Sequence, residues 1–389
     1  MCARVTARTF ALDLRTEKKC IQNAMATTIH MIGLPHTIVG VAFSHCAFTG
    51  KILRFGKMMK MCNWRVLEYS NEGSESEAEH IQILSQEELK QLSKRSDDTH
   101  FVDADLDNSV LVEAFYKRVG EKLAVHTQEH DIVCHVFGPV QGMQSYSRGC
   151  FHVESGIGYT CHVDTMPYRI FESNTWRAWH AGRQQNIMGS NIQWVIPNYY
   201  DLDDWDFYPE ADTKKPYVLF FGRIKWDKGL RTIEAIAHEL PDTQFVICGQ
   251  GDPLPWLRAN IKYKLPIKGQ ERAELLGKAT VVLCPSEYIE PFCGVNVESQ
   301  LCGTPVISTD CGAFTETIVH GETGYICHML ADYFKAIAMA PSLDRRHISE
   351  RARSLYSLQT VGQKYDSAFR QIHDMRNKGW YSEESHMLT

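Results

Sequence analysis

Short apolar runs alternate with longer stretches of helical period along most of the chain. The runs include TTIHMIG, DIVCHVF, YVLFFG and VVLC, whose length and continuous apolar character predict strands buried on both faces. Between the first two runs, residues 47–61 place Phe48, Ile52, Phe55 and Met59 on one face of a helix. Alternating strands and helices predict an α/β fold with doubly wound parallel sheets.

The same pattern predicts further elements on both sides of one interruption. The segment IPNYYDLDDWDFYPEADTKKP, which starts at Ile196, is rich in Asp, Tyr and Pro and is typical of a linker. Before it we predict strands at 28–32, 64–69, 151–157 and 192–196, helices at 105–126 and 167–181, and a loop at 70–79. After it we predict strands from 217 and 245 and at 281–284 and 306–308, with a helix at 271–278.

Chain length and the linker predict two domains, because 389 residues exceed the usual size of one. We expect the first domain at 25–205 and the second at 206–363. Residues 1–24 precede the first patterned strand and are predicted to be a disordered extension, or to come from an upstream start site. An organelle-targeting peptide is the alternative, which Asp13 and Glu17 disfavour because such peptides have few acidic residues.

Composition and charge exclude several classes of protein. The formal net charge of −6 argues against nucleic acid as the main partner, since phosphate backbones bind basic surfaces. No apolar run approaches the roughly 20 residues that a membrane span needs. The 13 cysteines include no C-x-x-C pair, so a disulfide framework or zinc ribbon is disfavoured. A reducing, cytoplasmic compartment fits this cysteine content best.

The predicted helix at 47–61 carries a basic face opposite its apolar one. Lys51, Arg54, Lys57 and Lys60 recur at helical spacing on that side. The face is either a solvated surface of a core-packed helix or a surface that binds an anionic lipid or a polyanionic acceptor. The second alternative predicts peripheral contact with a membrane.

The stretch from Pro285 to Tyr325 combines an anion site with two carboxylates. Its loop holds Glu290, and the helix that begins near Gly294 and Val295 carries Glu298. Backbone N–H groups at a helix N-terminus attract anions such as phosphate. Carboxylates would repel a phosphate at close range, so we expect them to accept hydrogen bonds from hydroxyls of a ribose or a sugar. Together these features describe a site for a sugar nucleotide.

Two cations follow an earlier strand in the stretch GRIKWDKG. Gly222 and Arg223 come at the strand end, and Lys228 precedes the next helix. Ligands of such sheets bind at the carboxyl ends of parallel strands, where these cations would neutralise a diphosphate. Cations at a helix N-terminus oppose the helix dipole, so a bound anion explains them better than a solvated surface does.

The pattern E-x7-E formed by Glu290 and Glu298, in EPFCGVNVESQLCGTPVI, resembles retaining glycosyltransferase family 4 of the GT-B fold. The resemblance runs from about Ile29 to the C-terminus and is strongest between Tyr217 and Tyr325. It implies two Rossmann-like domains facing a central cleft, with a last helix at about 364–389 that crosses back to the first. It also implies which residues contact a nucleotide-diphosphate sugar: Gly222, Arg223 and Lys228 near the diphosphate, Ile267 at the base through its backbone, Phe292, Gly294 and Val295 beside the phosphates, Glu290 on the transferred sugar and Glu298 on the ribose.

This resemblance implies a hexosyltransferase that retains anomeric configuration, with Arg223, Lys228 and Glu290 as its catalytic residues. The acceptor would be the hydroxyl of a glycan, a lipid or a small molecule. No metal or other cofactor is expected, because the two cations and the helix dipole already neutralise the diphosphate. On the acceptor side the chain departs from the family, with Gly33-Leu34-Pro35-His36 in place of a glycine pair. Gly33, His36 and Glu154 are the acceptor-side candidates.

Two other functions remain open. One is a sugar-nucleotide epimerase or hydrolase on the same fold, which would need acid and base groups around the sugar that the sequence does not reveal. The other is a non-catalytic protein that binds a nucleotide sugar, which the joint presence of Arg223, Lys228, Glu290 and Glu298 disfavours.

Overall fold

The computed structural model describes residues 27–43, 47–93, 110–136, 146–155, 166, 168–185 and 192–378. The prediction for residues 1–24 lies outside this set. The chain divides into two compact units, one of Met1–Val39, Phe55–Arg169 and Gly362–Thr389 and one of Gly40–Arg54 and Ile170–Val361. Across the described ranges, every helix is too short or too polar to cross a membrane.

The first sheet has seven strands in the order β3-β2-β1-β4-β5-β6-β7. Strands β1 to β6 pair in parallel. β1, β4 and β5 are buried along their whole length, as expected of strands covered on both faces. The strands are β1 Thr28–Ile32, β2 Arg65–Ser70, β3 Glu79–Gln82, β4 Ile132–His135, β5 Phe151–Glu154, β6 Tyr168–Phe171 and β7 Gln193–Val195.

In the described ranges, four helices accompany these strands: α1 Ala47–Met61, α2 Gln86–Ser93, α3 Val110–His126 and α4 Asn174–Arg183. The apolar face of α3 packs on β1, β2 and β4 through Phe115, Val119 and Leu123, which are fully buried. The buried cluster that these residues join consists of aliphatic and aromatic side chains.

The second sheet has six parallel strands in the order β10-β9-β8-β11-β12-β13. Its strands are β8 Val218–Phe221, β9 Phe245–Cys248, β10 Ile261–Lys264, β11 Val281–Cys284, β12 Val306–Thr309 and β13 Gly324–Cys327. The helices that follow are α5 Leu230–Glu239, α6 Gly269–Gly277, α7 Gly294–Leu301, α8 Phe314–Thr317, α9 Leu330–Met339, α10 Arg345–Tyr356 and α11 Leu358–Lys378. Two buried clusters, one on each face, form its core.

The C-terminal part of α11 belongs to the first unit. Tyr365 and Phe369 are buried there and make edge-to-face contacts with Phe55 and Trp64 at centroid distances of 5.7 and 5.9 Å. The indole Nε1–H of Trp64 donates to Asp366 at 2.8 Å. These contacts bury the apolar face of the helix against α1 and the start of β2.

The linker predicted from Ile196 onward is packed rather than free. Tyr200 and Trp205 are each 5% exposed and belong to the core of the second unit. Tyr200 also pairs with the end of α10, where its N–H donates to the carbonyl of Tyr356 at 2.9 Å. The aromatic residues of this segment are therefore core residues of the second unit, and the domain bounds at 25–205 and 206–363 stay a prediction.

The basic face of α1 is largely paired with carboxylates. Lys51 donates to Glu172 at 2.8 Å, and the Arg54 guanidinium contacts Asp204 at 2.9 Å. Lys60 lies 3.6 Å from Glu77 on the exposed surface. These partners favour the interpretation of a core-packed helix with a salt-bridged face over a surface reserved for anionic lipid.

Nine cysteines lie in the described residues and all are free thiols. Cys248, Cys284, Cys302 and Cys327 are buried in the second unit. Burial raises the pKa of Cys248 to about 11 and the pKa values of Cys302 and Cys327 to about 12. Their thiols therefore remain protonated at neutral pH and act as small apolar groups.

Candidate functional site

The strand order places the candidate residues at one position in each sheet. Both orders reverse beside the first strand of the sheet, between β1 and β4 and between β8 and β11. In open α/β sheets, ligands bind outside the carboxyl ends of the strands at such a reversal. Gly33 follows β1, Arg223 follows β8, and Glu290 lies in the loop after β11.

Lys228 and Glu290 form a buried ion pair after β8 and β11. The Lys228 Nζ lies 2.7 Å from the Glu290 Oε1, and the Ser286 hydroxyl donates to the same oxygen at 2.7 Å. The ammonium also donates to the Tyr288 hydroxyl and lies 4.6 Å from the centroid of that ring. The other carboxylate oxygen, Oε2, is buried and has no hydrogen-bond partner among the described residues. One oxygen is thus fixed and the other can still accept a hydrogen bond.

Two glycines allow the backbone segments of this site to approach each other. Gly229 has φ +81°, and a Cβ there would lie 1.9 Å from the Pro285 carbonyl oxygen. Gly312 also has φ +81°, and a Cβ there would lie 2.3 Å from the Glu290 backbone nitrogen. Neither position can hold another residue without a shift of the loop that carries Glu290.

Helix α7 begins directly after this loop, and the first N–H groups of a helix have no partner within the helix itself. Cys293 precedes it with φ 62° and ψ 84°, in the left-handed region that non-glycine residues rarely adopt. No side chain caps the first turn from this position. Gly294 and Val295 therefore provide backbone donors and the positive end of a helix dipole at the edge of the sheet.

Glu298 lies in the second turn of α7 and contacts a residue from another helix. The Nη2 of Arg272, on α6, donates to the Glu298 Oε2. The Glu298 Oε1 accepts no hydrogen bond from any described residue. The Tyr200 hydroxyl donates to the Gly294 carbonyl at 3.3 Å. Burial raises the pKa of Tyr200 well above its usual range, and the negative charge of Glu298 raises it further.

The remaining candidates of the second unit surround these groups. Arg223 is exposed, and its side chain forms no ion pair or hydrogen bond with any described residue. The Gly222 N–H donates to the Cys248 carbonyl at 3.0 Å, which joins the ends of β8 and β9. Ile267 packs on the core and Phe292 is 3% exposed, with its ring 5.8 Å from that of Tyr356.

The acceptor-side candidates lie in the first unit. The Gly33 N–H donates to the Tyr69 carbonyl at 2.9 Å, and His36 is buried in the loop after β1. Glu154 ends β5 with no exposed surface, and neither of its carboxylate oxygens has a partner among the described residues. Burial raises the pKa of Glu154 well above its usual range, and the charge of Arg169, its register partner on β6, opposes the increase only in part.

Residues 202–353 match the family described as "Glycosyl transferases group 1". This segment is similar to a group 1 glycosyl transferase domain. It contains the six strands of the second sheet and every donor-side residue named above. In the part of the chain that the structure covers, no group of three or more His, Cys, Asp or Glu residues could hold a metal ion.

Curated relatives share the same region. The chain is 33% identical over 134 residues to alpha-maltose-1-phosphate synthase of Mycolicibacterium smegmatis, which covers 30% of this chain and 34% of the relative. It is 29% identical over 192 residues to phosphatidyl-myo-inositol mannosyltransferase of Mycobacterium tuberculosis, which covers 45% and 49%. The chain therefore spans about a third to a half of the length of these relatives.

The fold extends beyond the matched segment. Sucrose-phosphate synthase from Thermosynechococcus elongatus superimposes with a TM-score of 0.67 at 17% identity, over 90% of this chain and 99% of that chain. The predicted GT-B class, with two Rossmann-like sheets, is confirmed by this likeness and by the two strand orders.

The second unit brings together some of the predicted residues and adds others. Lys228 meets Glu290, as their positions after neighbouring strands allow. Sequence reasoning missed Ser286 and Arg272, which contact the two predicted carboxylates, and Tyr288, which contacts the Lys228 ammonium. Ser286 and Tyr288 lie in the loop that contains Glu290, so proximity could have identified them. Arg272 lies 26 positions before Glu298 and carries no signal in the sequence.

Proposed function

We propose that this protein is a glycosyltransferase that moves a hexose from a nucleotide-diphosphate sugar to an acceptor hydroxyl with retention of configuration. The observation that carries the proposal is the Lys228–Glu290 pair beside the N-terminus of α7. Its geometry offers a cation and helix N–H groups for a diphosphate, and a carboxylate oxygen for a sugar hydroxyl. Both requirements of a sugar nucleotide are met where Lys228, after β8, meets the loop that carries Glu290 and the helix that follows it.

The donor is assigned residue by residue. Arg223 and Lys228 would contact the diphosphate together with the backbone of Gly294 and Val295, with Gly222 and Phe292 shaping the surface beside it. Glu290 would accept from hydroxyls of the sugar and Glu298 from those of the ribose. Backbone groups near Ile267 would hold the base. The exposed guanidinium of Arg223 supports this assignment, since it has no partner among the described residues.

The proposed reaction needs no carboxylate nucleophile. The bond between the anomeric carbon and the diphosphate oxygen breaks, and the positively charged sugar is attacked on the same face by the acceptor hydroxyl. The departing diphosphate takes the proton of that hydroxyl. Arg223, Lys228 and the α7 dipole stabilise the negative charge that develops on the leaving group, which is the largest contribution expected from such a site. We propose that no metal is required for this step.

The acceptor is proposed to bind the first unit through the neighbourhood of Gly33, His36 and Glu154. A glycan, a lipid-linked sugar or a small molecule would each supply a hydroxyl. The names of the two curated relatives include maltose and mannose, which supports a hexosyl donor. A cytoplasmic location, with or without peripheral contact with a membrane, is part of the proposal.

Binding and product analysis separate this function from its alternatives. We would screen UDP, GDP, ADP and their common sugar conjugates by thermal shift, with and without Mg²⁺. One nucleotide is expected to raise the melting temperature without metal, because ligand bound to the native state stabilises it. Lys228→Ala and Glu298→Ala should lose the shift, whereas the exposed control Lys262→Ala should keep it.

The products then identify the reaction class. Incubation of the sugar conjugate without acceptor should leave it largely intact, and added acceptor should yield a glycoside of unchanged anomeric configuration. An epimerised or hydrolysed sugar nucleotide as the main product would establish the isomerase or hydrolase alternative. The absence of any shift in the folded protein would overturn the transferase and leave only a binding role for another ligand.

A further inference from the structure

Arg272 is held in a fixed position next to Glu298. Its guanidinium carbon lies 4.7 Å from the centroid of the Phe221 ring and 5.8 Å from that of Trp205. Phe221 is the last residue of β8, and Trp205 is a core residue of the second unit. A planar guanidinium that contacts two aromatic rings retains few alternative rotamers. The Arg272 fork is therefore preorganised before any ligand binds.

The contact between the two side chains divides the carboxylate into a held and a free oxygen. Arg272 Nη2 donates to the Glu298 Oε2, and both side chains are mostly buried, with 14% and 10% of their surfaces exposed. The Glu298 Oε1 lies 3.6 Å from the position that a Cβ on Gly294 would occupy, at the start of α7. The free oxygen is thus directed to the end of the helix where the anion site lies.

The pair is poorly explained by stability alone. Arg272 Nε is buried and has no hydrogen-bond partner among the described residues. A buried ion pair with an unsatisfied donor contributes little to stability, because desolvation offsets the attraction between the charges. A role in positioning explains why the fold retains it.

We propose that Arg272 is a positioning residue that orients Glu298 toward the ribose hydroxyls and so makes the site selective for ribonucleotides. The inference rests on the proposed function, since it requires a nucleotide at α7. Two vicinal hydroxyls can donate to one carboxylate only when the plane of that carboxylate is fixed. Without the guanidinium, Glu298 would be free to rotate out of the plane in which it accepts from both hydroxyls.

The test compares each nucleoside diphosphate with an analogue that lacks the hydroxyls. Dissociation constants would be measured by calorimetry for UDP, GDP and ADP and for their 2′,3′-dideoxy counterparts. For the nucleotide that binds, the wild-type protein is expected to prefer the ribose form by at least about tenfold, the usual effect of losing a hydrogen bond to a charged group. In Arg272→Met this preference should fall below about threefold. The ribonucleotide should bind more weakly while the dideoxy form binds as before.

Controls separate positioning from charge and folding. Arg231→Met changes an exposed arginine on α5 and should retain the wild-type preference. Arg272→Lys keeps the charge next to Glu298 but lacks the planar fork, and should give an intermediate preference. Melting temperatures of all variants would show that binding was measured on folded protein.

Several outcomes would overturn the inference. Equal weakening of both nucleotide forms in Arg272→Met would assign Arg272 to the diphosphate or to the fold. An unchanged preference in that variant, or wild-type behaviour of Arg272→Lys, would show that the fork does not orient Glu298. If the wild-type protein bound none of the three ribonucleotides, the proposed function would itself fail and this inference with it. Binding without any ribose preference would overturn the inference alone.

Discussion

At the scale of single residues, the two oxygens of Glu290 have different environments. Oε1 accepts from Lys228 and Ser286, whereas Oε2 is buried without a partner among the described residues. A buried acceptor that is left unpaired is unfavourable, and native proteins retain such groups mainly where a ligand or water completes them. A hydrogen bond donated by a sugar hydroxyl would give the Glu290 Oε2 the partner that it lacks.

Replacement of this carboxylate tests its role on the sugar. Glu290→Gln keeps the shape and removes the charge, so we expect kcat for transfer to fall by about 10- to 100-fold, equivalent to one hydrogen bond to a charged group. The affinity for the nucleoside diphosphate, which lacks the sugar, should stay within about twofold. Glu287→Gln, in the same loop but exposed, is the matched control. A collapse of nucleotide affinity in Glu290→Gln would contradict a sugar contact.

The burial of Glu154 predicts that the stability of the protein depends on pH. A carboxyl in an unfolded chain has a pKa of about 4.3, whereas burial keeps the folded Glu154 protonated at higher pH. Above the unfolded-state pKa of about 4.3, unfolding releases the proton of this carboxyl. The free energy of unfolding should therefore decrease as pH rises toward the folded-state pKa, by at most about 1.4 kcal/mol per pH unit. The neutral variant Glu154→Gln should lack this decrease.

Urea unfolding from about pH 4.5 to about pH 7.5 measures the effect, which appears as a stability difference between Glu154→Gln and wild type that grows with pH. Glu113→Gln, an exposed carboxylate on α3, should follow the wild-type profile. Parallel profiles for wild type and Glu154→Gln would show that folded Glu154 is ionised.

At the scale of elements, the loop after β11 is held by the turn that follows β12. Glu290 and Gly312 form a β-bridge, and the Ala313 N–H donates to the Glu290 carbonyl at 2.9 Å. The bridge requires a residue without a side chain at 312, because a Cβ would meet the Glu290 backbone. The position of the carboxylate thus depends on a second loop of the sheet.

A matched pair of glycine variants separates this close approach from backbone strain. Gly312 and Gly321 have φ of +81° and +82°, but a Cβ at Gly321 would meet nothing within 4 Å. We expect Gly321→Ala to lower stability by about 1 kcal/mol through strain alone. Gly312→Ala should lower it further and also reduce transfer activity, as thermal melts and rate assays would show. Equal effects of both variants on stability and activity would argue against the role of the bridge.

The elements with strong patterns were predictable and the weakly patterned ones were not. Helix α1 spans the predicted residues 47–61, because its apolar side chains recur at helical spacing. Strand β3 begins at the last residue of the predicted loop 70–79, and its four residues are mainly exposed and polar, so no hydrophobic signal marks it. The contact of Arg272 with Glu298 depends on how α6 and α7 pack on the sheet, which spacing along the chain cannot show.

At the scale of the whole molecule, the C-terminal residues complete a unit that starts at the other end of the chain. Phe369 is fully buried in the first unit, against Trp64 and Tyr365. The first unit therefore cannot bury its own core until the last helix has been synthesised, although most of its residues come first.

Truncation of the Phe369 side chain should lower the stability of the first unit selectively. Phe369→Ala is expected to destabilise the first unit by about 3–5 kcal/mol, the usual effect of removing a buried aromatic ring. Amide exchange followed by mass spectrometry should show faster exchange in β1, β2 and β4, with β8, β9 and β11 unchanged. Gln371→Ala, exposed on the same helix, serves as the control. Equal acceleration in both sheets would show that the two units unfold together.

The buried thiols of the second unit can report when the structure around each of them opens. Cys248, Cys284, Cys302 and Cys327 are distributed over β9, β11, the end of α7 and β13. A water-soluble disulfide reagent can modify them only when the surrounding structure opens and the thiol ionises. Mass spectrometry would give the order in which these cysteines are modified. That order would show which parts of the second unit open first, without any introduced probe. A bound nucleotide should slow the modification of Cys284 and Cys302 more than that of the other two thiols, because these two lie at the ends of the segment that carries Glu290 and Glu298.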